Sequence, residues 1–198
     1  TCALPIWPEW RMPTGTGALP AGRRRVAVCG LAADSAALAR ELGAEPLVLP
    51  EEYGAAAQEL LAHLRDLARA RPPVAEWLQI VVPAAGPGQV LQGLAAALRC
   101  ARRELPSWHG QVIAVEPGAS AASLAAVLQQ AAAHPHEVQW RAEGERVQAL
   151  GWREDTTTEA PAHRPWRPQG VYLITGGLGG LGAIVAEDIA RQIGRAHV

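Results

Sequence analysis

Eight residues near the end of the chain have the types and spacing to hold an anionic ligand: Thr175, Gly176, Gly177, Leu178, Gly179, Gly180, Leu181 and Gly182. Five glycines in eight residues would weaken a helix or a strand. They suit a backbone that must turn tightly and lie against a ligand. Val171 to Ile174, just before them, form a short apolar run rich in β-formers and predict a buried strand. Leu181, Ile184, Val185 and Ile189, just after, recur at helical spacing. A helix N-terminus offers unpaired N–H groups and the positive end of the macrodipole, so a pyrophosphate can sit there if no side chain intervenes. Gly177-Leu-Gly179-Gly-Leu-Gly182 matches G-x-G-x-x-G in the strand-to-helix setting that supports a dinucleotide site. The competing reading is a purely structural glycine turn.

The elements before this stretch alternate. Val26–Leu31 reads as a strand and Ala33–Leu42 as a helix, with Asp34 or Ser35 as its N-cap. Glu45–Pro50 reads as a short strand. Glu51–Ala70 reads as an amphipathic helix, with Leu60, Leu61, Leu64 and Leu67 on one face. Trp77–Pro83 is a strongly apolar strand, Gly86–Gly88 a turn and Val90–Arg103 a helix. Gln111–Val115 is a strand, and a helix starts at Ala119 or Ser120 and runs to about Ala133. Glu137–Arg141 and Arg146–Trp152 pair as a hairpin. Trp7–Pro13 reads as an edge strand or packing flap, Arg23–Arg25 as a solvated flank, and Ser107, Trp108 and His109 as a turn. The pattern predicts an α/β fold with a parallel sheet covered on both faces. The turn after the first strand, Cys29-Gly-Leu-Ala-Ala-Asp34, has a single glycine and cannot hug a pyrophosphate. The chain therefore reads as two Rossmann-like units, of which only the second has nucleotide chemistry.

The 198 residues are 49% hydrophobic and 19% charged, with a formal net charge of −1. That balance gives no general attraction to nucleic acid or anionic membrane. No apolar run reaches the length of a membrane span and no signal peptide is evident. The three cysteines, Cys2, Cys29 and Cys100, are far apart and fit a reducing, cytoplasmic setting; Cys29 and Cys100 read as buried structural thiols. His134 and His136 flank a proline without further ligands at metal spacing, so no metal site is expected. Trp140 and Trp152 are expected to pack against the sheet, and Tyr172 in a core. Residues 1–6 and 193–198 read as translated sequencing adapter, because opposite strands of one oligonucleotide encode both ends. They are excluded from fold reasoning, and with them Cys2, Arg195 and His197.

The string Tyr172-Leu-Ile-Thr-Gly-Gly-Leu-Gly-Gly-Leu-Gly182 resembles the opening of the catalytic half of a modular polyketide synthase ketoreductase. That family belongs to the short-chain dehydrogenase/reductase superfamily, whose T-G-x-x-x-G-x-G pattern fits Thr175, Gly176, Gly180 and Gly182. Upstream, Gln111–Gly118, Ser123–Leu128 and His136–Arg141 look like the end of the family's truncated Rossmann structural subdomain. The resemblance covers residues 7–192 and implies a structural subdomain over 7–152, a linker over 153–169 and the start of the catalytic subdomain over 170–192. It implies NADPH as cofactor and a β-ketoacyl thioester on the phosphopantetheine of an acyl carrier protein as substrate, with neighbouring synthase domains as further partners. The family's reductases use a Tyr, a Lys, a Ser and usually an Asn. Here neither Tyr53 nor Tyr172 begins Y-x-x-x-K and there is no lysine, so no catalytic residue is assigned and the chain is expected to be inactive alone. The residue that would separate NADPH from NADH, some 20 positions past the glycine turn, falls in the excluded end. The alternatives are an inactive ketoreductase-like scaffold in a synthase and a free-standing dehydrogenase of the same superfamily. Residues 170–198 are expected to be less protected from amide exchange than 24–152.

Overall fold

The computed structural model describes residues 6–14, 17, 22–70, 75–105, 108–144, 146–154, 166–167 and 170–193. The chain divides into two compact units, 1–154 and 155–198. The first contains β1 (Ile6–Arg11), β2 (Gly22–Val28), α1 (Ser35–Glu41), β3 (Glu45–Pro46), α2 (Tyr53–Ala70), β4 (Ala75–Pro83), a 3-10 helix (Pro87–Gly93), α3 (Leu94–Glu104), β5 (Trp108–Val115), α4 (Ala121–Ala132), β6 (Gln139–Glu143) and β7 (Arg146–Glu154). The second contains α5 (Gly180–Ile193).

The strands form one sheet in the order β1-β7-β6-β5-β4-β2-β3. Strands β3, β2, β4, β5 and β6 pair in parallel with one another, while β7 joins β6, and β1 joins β7, antiparallel at one edge. β4 and β5 lie in the middle and are buried almost throughout, which explains their near-continuous apolar sequence. Alternation along β4 divides the core. Leu78, Ile80 and Val82 pack with Ala56, Leu60 and Leu64 of α2 and Leu94 and Leu98 of α3. Val81, with Ile113, Val115 and Trp140, packs with Leu38 of α1 and Leu124 and Leu128 of α4. The α/β class, the parallel sheet, the edge strand at Trp7 and the hairpin are thus as expected.

Local chemistry fixes the helix starts. Asp34 caps α1, accepting from Ala36 N at 2.8 Å, while Ser35 Oγ accepts from Val28 N. Glu52 accepts from Gly54 N and Ala55 N ahead of α2, and Ser120 accepts from Ser123 N at α4.

Several expectations are corrected. β3 stops at Pro46 and Val48 is exposed, because a proline-bounded edge offers few ladder donors. The helix expected from Val90 begins as 3-10 and becomes α only at Leu94; Gly88 and Gly93 weaken an α-turn there. Trp108 and His109 open β5 instead of forming a turn, paired with Glu76 and Trp77. Trp152 is exposed, since alternation along β7 turns Val147, Ala149 and Gly151 to the core and Trp152 away. Cys100 is also exposed, lying off the buried stripe of Leu94, Ala95, Leu98 and Ala101. Cys29 is buried as expected. Its thiol donates to Pro50 O, and burial together with the Glu51 charge pushes it up to about 11.

Arg24 and Arg25 are not a solvated flank. Arg24 donates to the buried Gln79 side chain at 2.6 and 3.1 Å. Arg25 pairs with Glu76 at 3.3 Å, and His63 of α2 meets the other Glu76 oxygen at 2.6 Å. Burial alone would raise the Glu76 carboxyl, but the His63 hydrogen bond and charge and the Arg25 and Arg23 charges outweigh it and hold it below the usual range. A folded-state value below the unfolded one stabilises the fold above the ordinary carboxylate range, and that stability is lost as pH falls through the folded value. The stability gap between wild type and Glu76→Gln in urea titrations is therefore expected to be full near neutrality and to close in acid. A gap independent of pH would remove Glu76 as the titrating group.

Candidate functional site

In the second unit the chain runs through residues 170–174, turns twice and enters α5. Residues 171–174 form no strand among the described residues, and Val171 and Leu173 are exposed. This corrects the expected buried strand: an apolar β-rich run becomes a strand only through a ladder partner. Tyr172 is half-buried and not in a core. Its hydroxyl oxygen accepts from Arg167 N at 2.6 Å, and its ring meets Trp166 edge-on, with centroids 5.1 Å apart.

The loop itself is built by two overlapping turns. Gly177 N donates to Ile174 O at 3.2 Å and Gly179 N to Gly176 O at 2.8 Å. Gly176 has φ +72°, a conformation that a side chain strains. The first helical bond then runs from Ala183 N to Gly179 O. The N–H groups of Gly180, Leu181 and Gly182 lie ahead of it, in the helix's first turn, where donors lack intrahelical acceptors.

Two glycines are small for opposite reasons. A Cβ on Gly182 would collide with Gly176 O and stand 2.7 Å from Gly177 Cα, so the loop folds directly over the helix's first turn. A Cβ on Gly180 would meet nothing within 4 Å. The space beside Gly180 is open, and a ligand can approach the backbone there. The structure thus brings Gly176, Gly177, Gly179 and Gly182 together, while Thr175, Leu178, Gly180 and Leu181 are exposed on the loop's surface.

Charge placement agrees with an anion site. No acidic residue occupies the first turn of α5, and Glu187 and Asp188 lie two turns on, bonded to Arg191 and Gln192. The corresponding turn of the first unit is closed. Asp34 places its own carboxylate at the start of α1, and a Cβ on Gly30 would stand 2.8 Å from Leu91 Cδ1. Of these two turns, the second combines first-turn donors, an open approach and no competing carboxylate. It fits the pyrophosphate of a dinucleotide, which Gly176 to Gly182 would hold through backbone N–H groups.

Elsewhere, no group of three or more His, Cys, Asp or Glu among the described residues is placed to hold a metal ion. His136 instead takes Arg102 on both its ring and its carbonyl. Tyr53, the other tyrosine, packs beside Gly93. Sequence reasoning missed the Trp166–Tyr172 contact; its one visible signal was the pair of aromatics flanking Gly170.

No protein-family model matches the chain. The chain is 33% identical over 180 residues to polyketide synthase PksL of Bacillus subtilis (strain 168), covering 88% of this chain and 4% of that protein. It is 31% identical over 212 aligned positions to polyketide synthase ThaG of Burkholderia thailandensis, covering 100% of this chain and 4% of the relative. The chain thus spans a small part of these synthases. Among solved structures it is similar to a ketoreductase domain from the bacillaene assembly line, with a TM-score of 0.72 and 26% identity over 96% of this chain and 46% of that one. An A1-type ketoreductase at 24% identity, TM-score 0.59, shares the fold over 96% of this chain and 50% of its own length. With a glycine loop at a helix N-terminus, relatives that are polyketide synthases and a fold shared with ketoreductase domains, the chain belongs to the ketoreductase domains of modular polyketide synthases, in the short-chain dehydrogenase/reductase superfamily.

Proposed function

We propose that the chain is the part of a polyketide synthase ketoreductase that carries its structural subdomain and its phosphate-holding loop. On this reading residues 7–152 are the structural subdomain, 153–169 the linker and 170–192 the start of the catalytic subdomain. The intact domain reduces a β-ketoacyl thioester carried on the phosphopantetheine of an acyl carrier protein, beside neighbouring synthase domains in the cytoplasm. NADPH, when bound, supplies the hydride that the β-carbon receives. This chain's share of the work is to bind and orient. The loop from Gly176 to Gly182 directs backbone donors at the pyrophosphate, Gly180 leaves room for it, and the acid-free first turn of α5 adds a favourable field. The observation that carries the reading is the packing of Gly182 under Gly176, which shapes the loop with no side chain in the way.

Proton transfer to the ketone is assigned to no residue here. Neither tyrosine begins Y-x-x-x-K, and the chain has no lysine to complete the pair that the family's reductases use. Among the described residues no helix is long and apolar enough to cross a membrane. Nothing in the net charge of −1 favours nucleic acid.

The test is to incubate the chain with millimolar NADPH and follow amide exchange, then to add a β-ketoacyl thioester and follow absorbance of the reduced nicotinamide. Slowed exchange at Gly180 to Ala183 without oxidation of NADPH is the expected result. Oxidation coupled to ketone reduction would overturn the assignment of catalysis to residues outside this chain. Absence of any NADPH-dependent protection would overturn the cofactor reading.

A further inference from the structure

We propose that Trp166 and Tyr172 form an aromatic latch that fixes the direction in which the chain enters the Thr175–Gly182 loop, making Tyr172 a positioning residue for that loop. The proposal rests on the reading of the loop as a dinucleotide site, and adds what holds it in place from the N-terminal side.

The loop needs an anchor at each end. On its C-terminal side the anchor is plain: Gly182 packs against Gly176 and Gly177, and α5 follows. On its N-terminal side, residues 171–174 belong to no strand among the described residues. Val171 and Leu173 point into solvent, 91% and 94% exposed, so they fasten nothing within the unit. The alternate residues, Tyr172 and Ile174, are half-buried. Ile174 lends its carbonyl to Gly177 N, a bond inside the loop itself. Tyr172 is thus the residue that ties this segment to the chain before it.

Three contacts make that tie. Gly170 N donates to Arg167 O at 2.9 Å and folds the chain back. Across this fold the Tyr172 hydroxyl oxygen accepts from Arg167 N at 2.6 Å. The Trp166 and Tyr172 rings then meet at 86°, centroids 5.1 Å apart, the edge-to-face arrangement that aromatic quadrupoles favour. Gly170 lies under the phenol: a Cβ there would stand 2.6 Å from Tyr172 Cε2 and 2.9 Å from Arg167 O. A glycine, two aromatic rings and a backbone donor are needed together, and each is present. Because 171–174 is only four residues long, a fixed Tyr172 restricts where Thr175 can start its turn.

The test uses the full chain and amide exchange at residues 170–182. Trp166→Leu and Tyr172→Leu are each expected to speed exchange there by about fivefold to tenfold. The double variant is expected to do little more than Tyr172→Leu alone, because that change already removes the ring contact that Trp166→Leu breaks. Trp166→Phe keeps the edge-to-face contact and should restore most protection. Tyr172→Phe keeps the ring, loses the Arg167 bond and should fall between. Exchange at Leu78 to Val82 serves as a control for the first unit and should not move. Unchanged exchange in both leucine variants, or simple additivity in the double variant, overturns the latch. NADPH titration separates the two ideas: a latch that responds as described in a chain whose exchange ignores NADPH would leave the latch standing and remove the cofactor reading.

Discussion

Gly182→Val is expected to abolish NADPH-dependent protection of α5 and to unseat the loop, while Gly180→Ala leaves the unliganded loop intact. The difference is steric. At position 182 the added carbon would press on Gly176 O and Gly177 Cα, which are backbone atoms and cannot rotate aside. Relief requires the Thr175–Gly179 turns to lift from the helix. The N–H groups of Gly180, Leu181 and Gly182 would then no longer converge on one anion. A loss of at least about a hundredfold in affinity, roughly 2.7 kcal/mol, is expected. At position 180 nothing of the protein stands within 4 Å of the added carbon. Gly180→Ala should therefore alter only the liganded state, weakening NADPH without changing exchange in its absence. The paired measurement is amide exchange of both variants with and without NADPH. A Gly182→Val chain that keeps both its exchange pattern and its response to NADPH would refute the loop geometry. A Gly180→Ala chain that binds as well as wild type would mean that the open space beside Gly180 is not where the ligand lies.

The second large effect is expected in the first unit, from Gln79→Leu. Gln79 is fully buried in the middle strand β4, and its amide uses both ends. Its oxygen accepts from Arg24, and its nitrogen donates to Gln111 Oε1 and Leu128 O, both at 2.9 Å. Gln111, equally buried, passes its own nitrogen to Ala131 O, His134 O and Glu137 O. The two amides thereby tie β2, β4 and β5 to the end of α4. Leucine fits the volume but leaves Arg24, Gln111 Oε1 and Leu128 O without these partners. Unsatisfied buried groups cost about 1–3 kcal/mol each, so a loss of roughly 3–5 kcal/mol is expected, large against the roughly 5–15 kcal/mol of a typical domain. Gln79→Glu separates hydrogen bonding from packing. It keeps acceptors for Arg24 but sets a carboxylate against Gln111 Oε1 and Leu128 O, and should also destabilise. Urea titration reads both variants; a leucine variant as stable as wild type would show the amide pair to be a spectator.

The amino-acid order by itself determined most of the element sequence and the place of the glycine loop. Both follow from local patterns. The apolar run of β4 marks a strand buried on both faces, Leu60 and Leu64 recur at helical spacing, and the glycines of 176–182 disfavour helix and strand and permit a tight turn. Asp34 and Ser120 cap helices through bonds to residues two or three positions away, which is why short sequence windows expose them. The resemblance of Tyr172–Gly182 to ketoreductases also lives in one contiguous string. Tertiary structure alone decided the rest, because it depends on partners distant in sequence. Alternation places Gln79, Gln111 and Glu76 on strand faces but cannot reveal that Arg24, His63 and the carbonyls ending α4 wait to receive them. Trp152 and Cys100 have core-forming side chains, yet pleat and helical phase turn them to solvent. Residues 171–174 have a strand's composition without a strand's ladder, since hydrogen-bond pairing is a property of two segments and composition a property of one. Tyr172 accordingly faces Trp166 and Arg167 in place of a sheet, a contact set by how the chain folds back at Gly170.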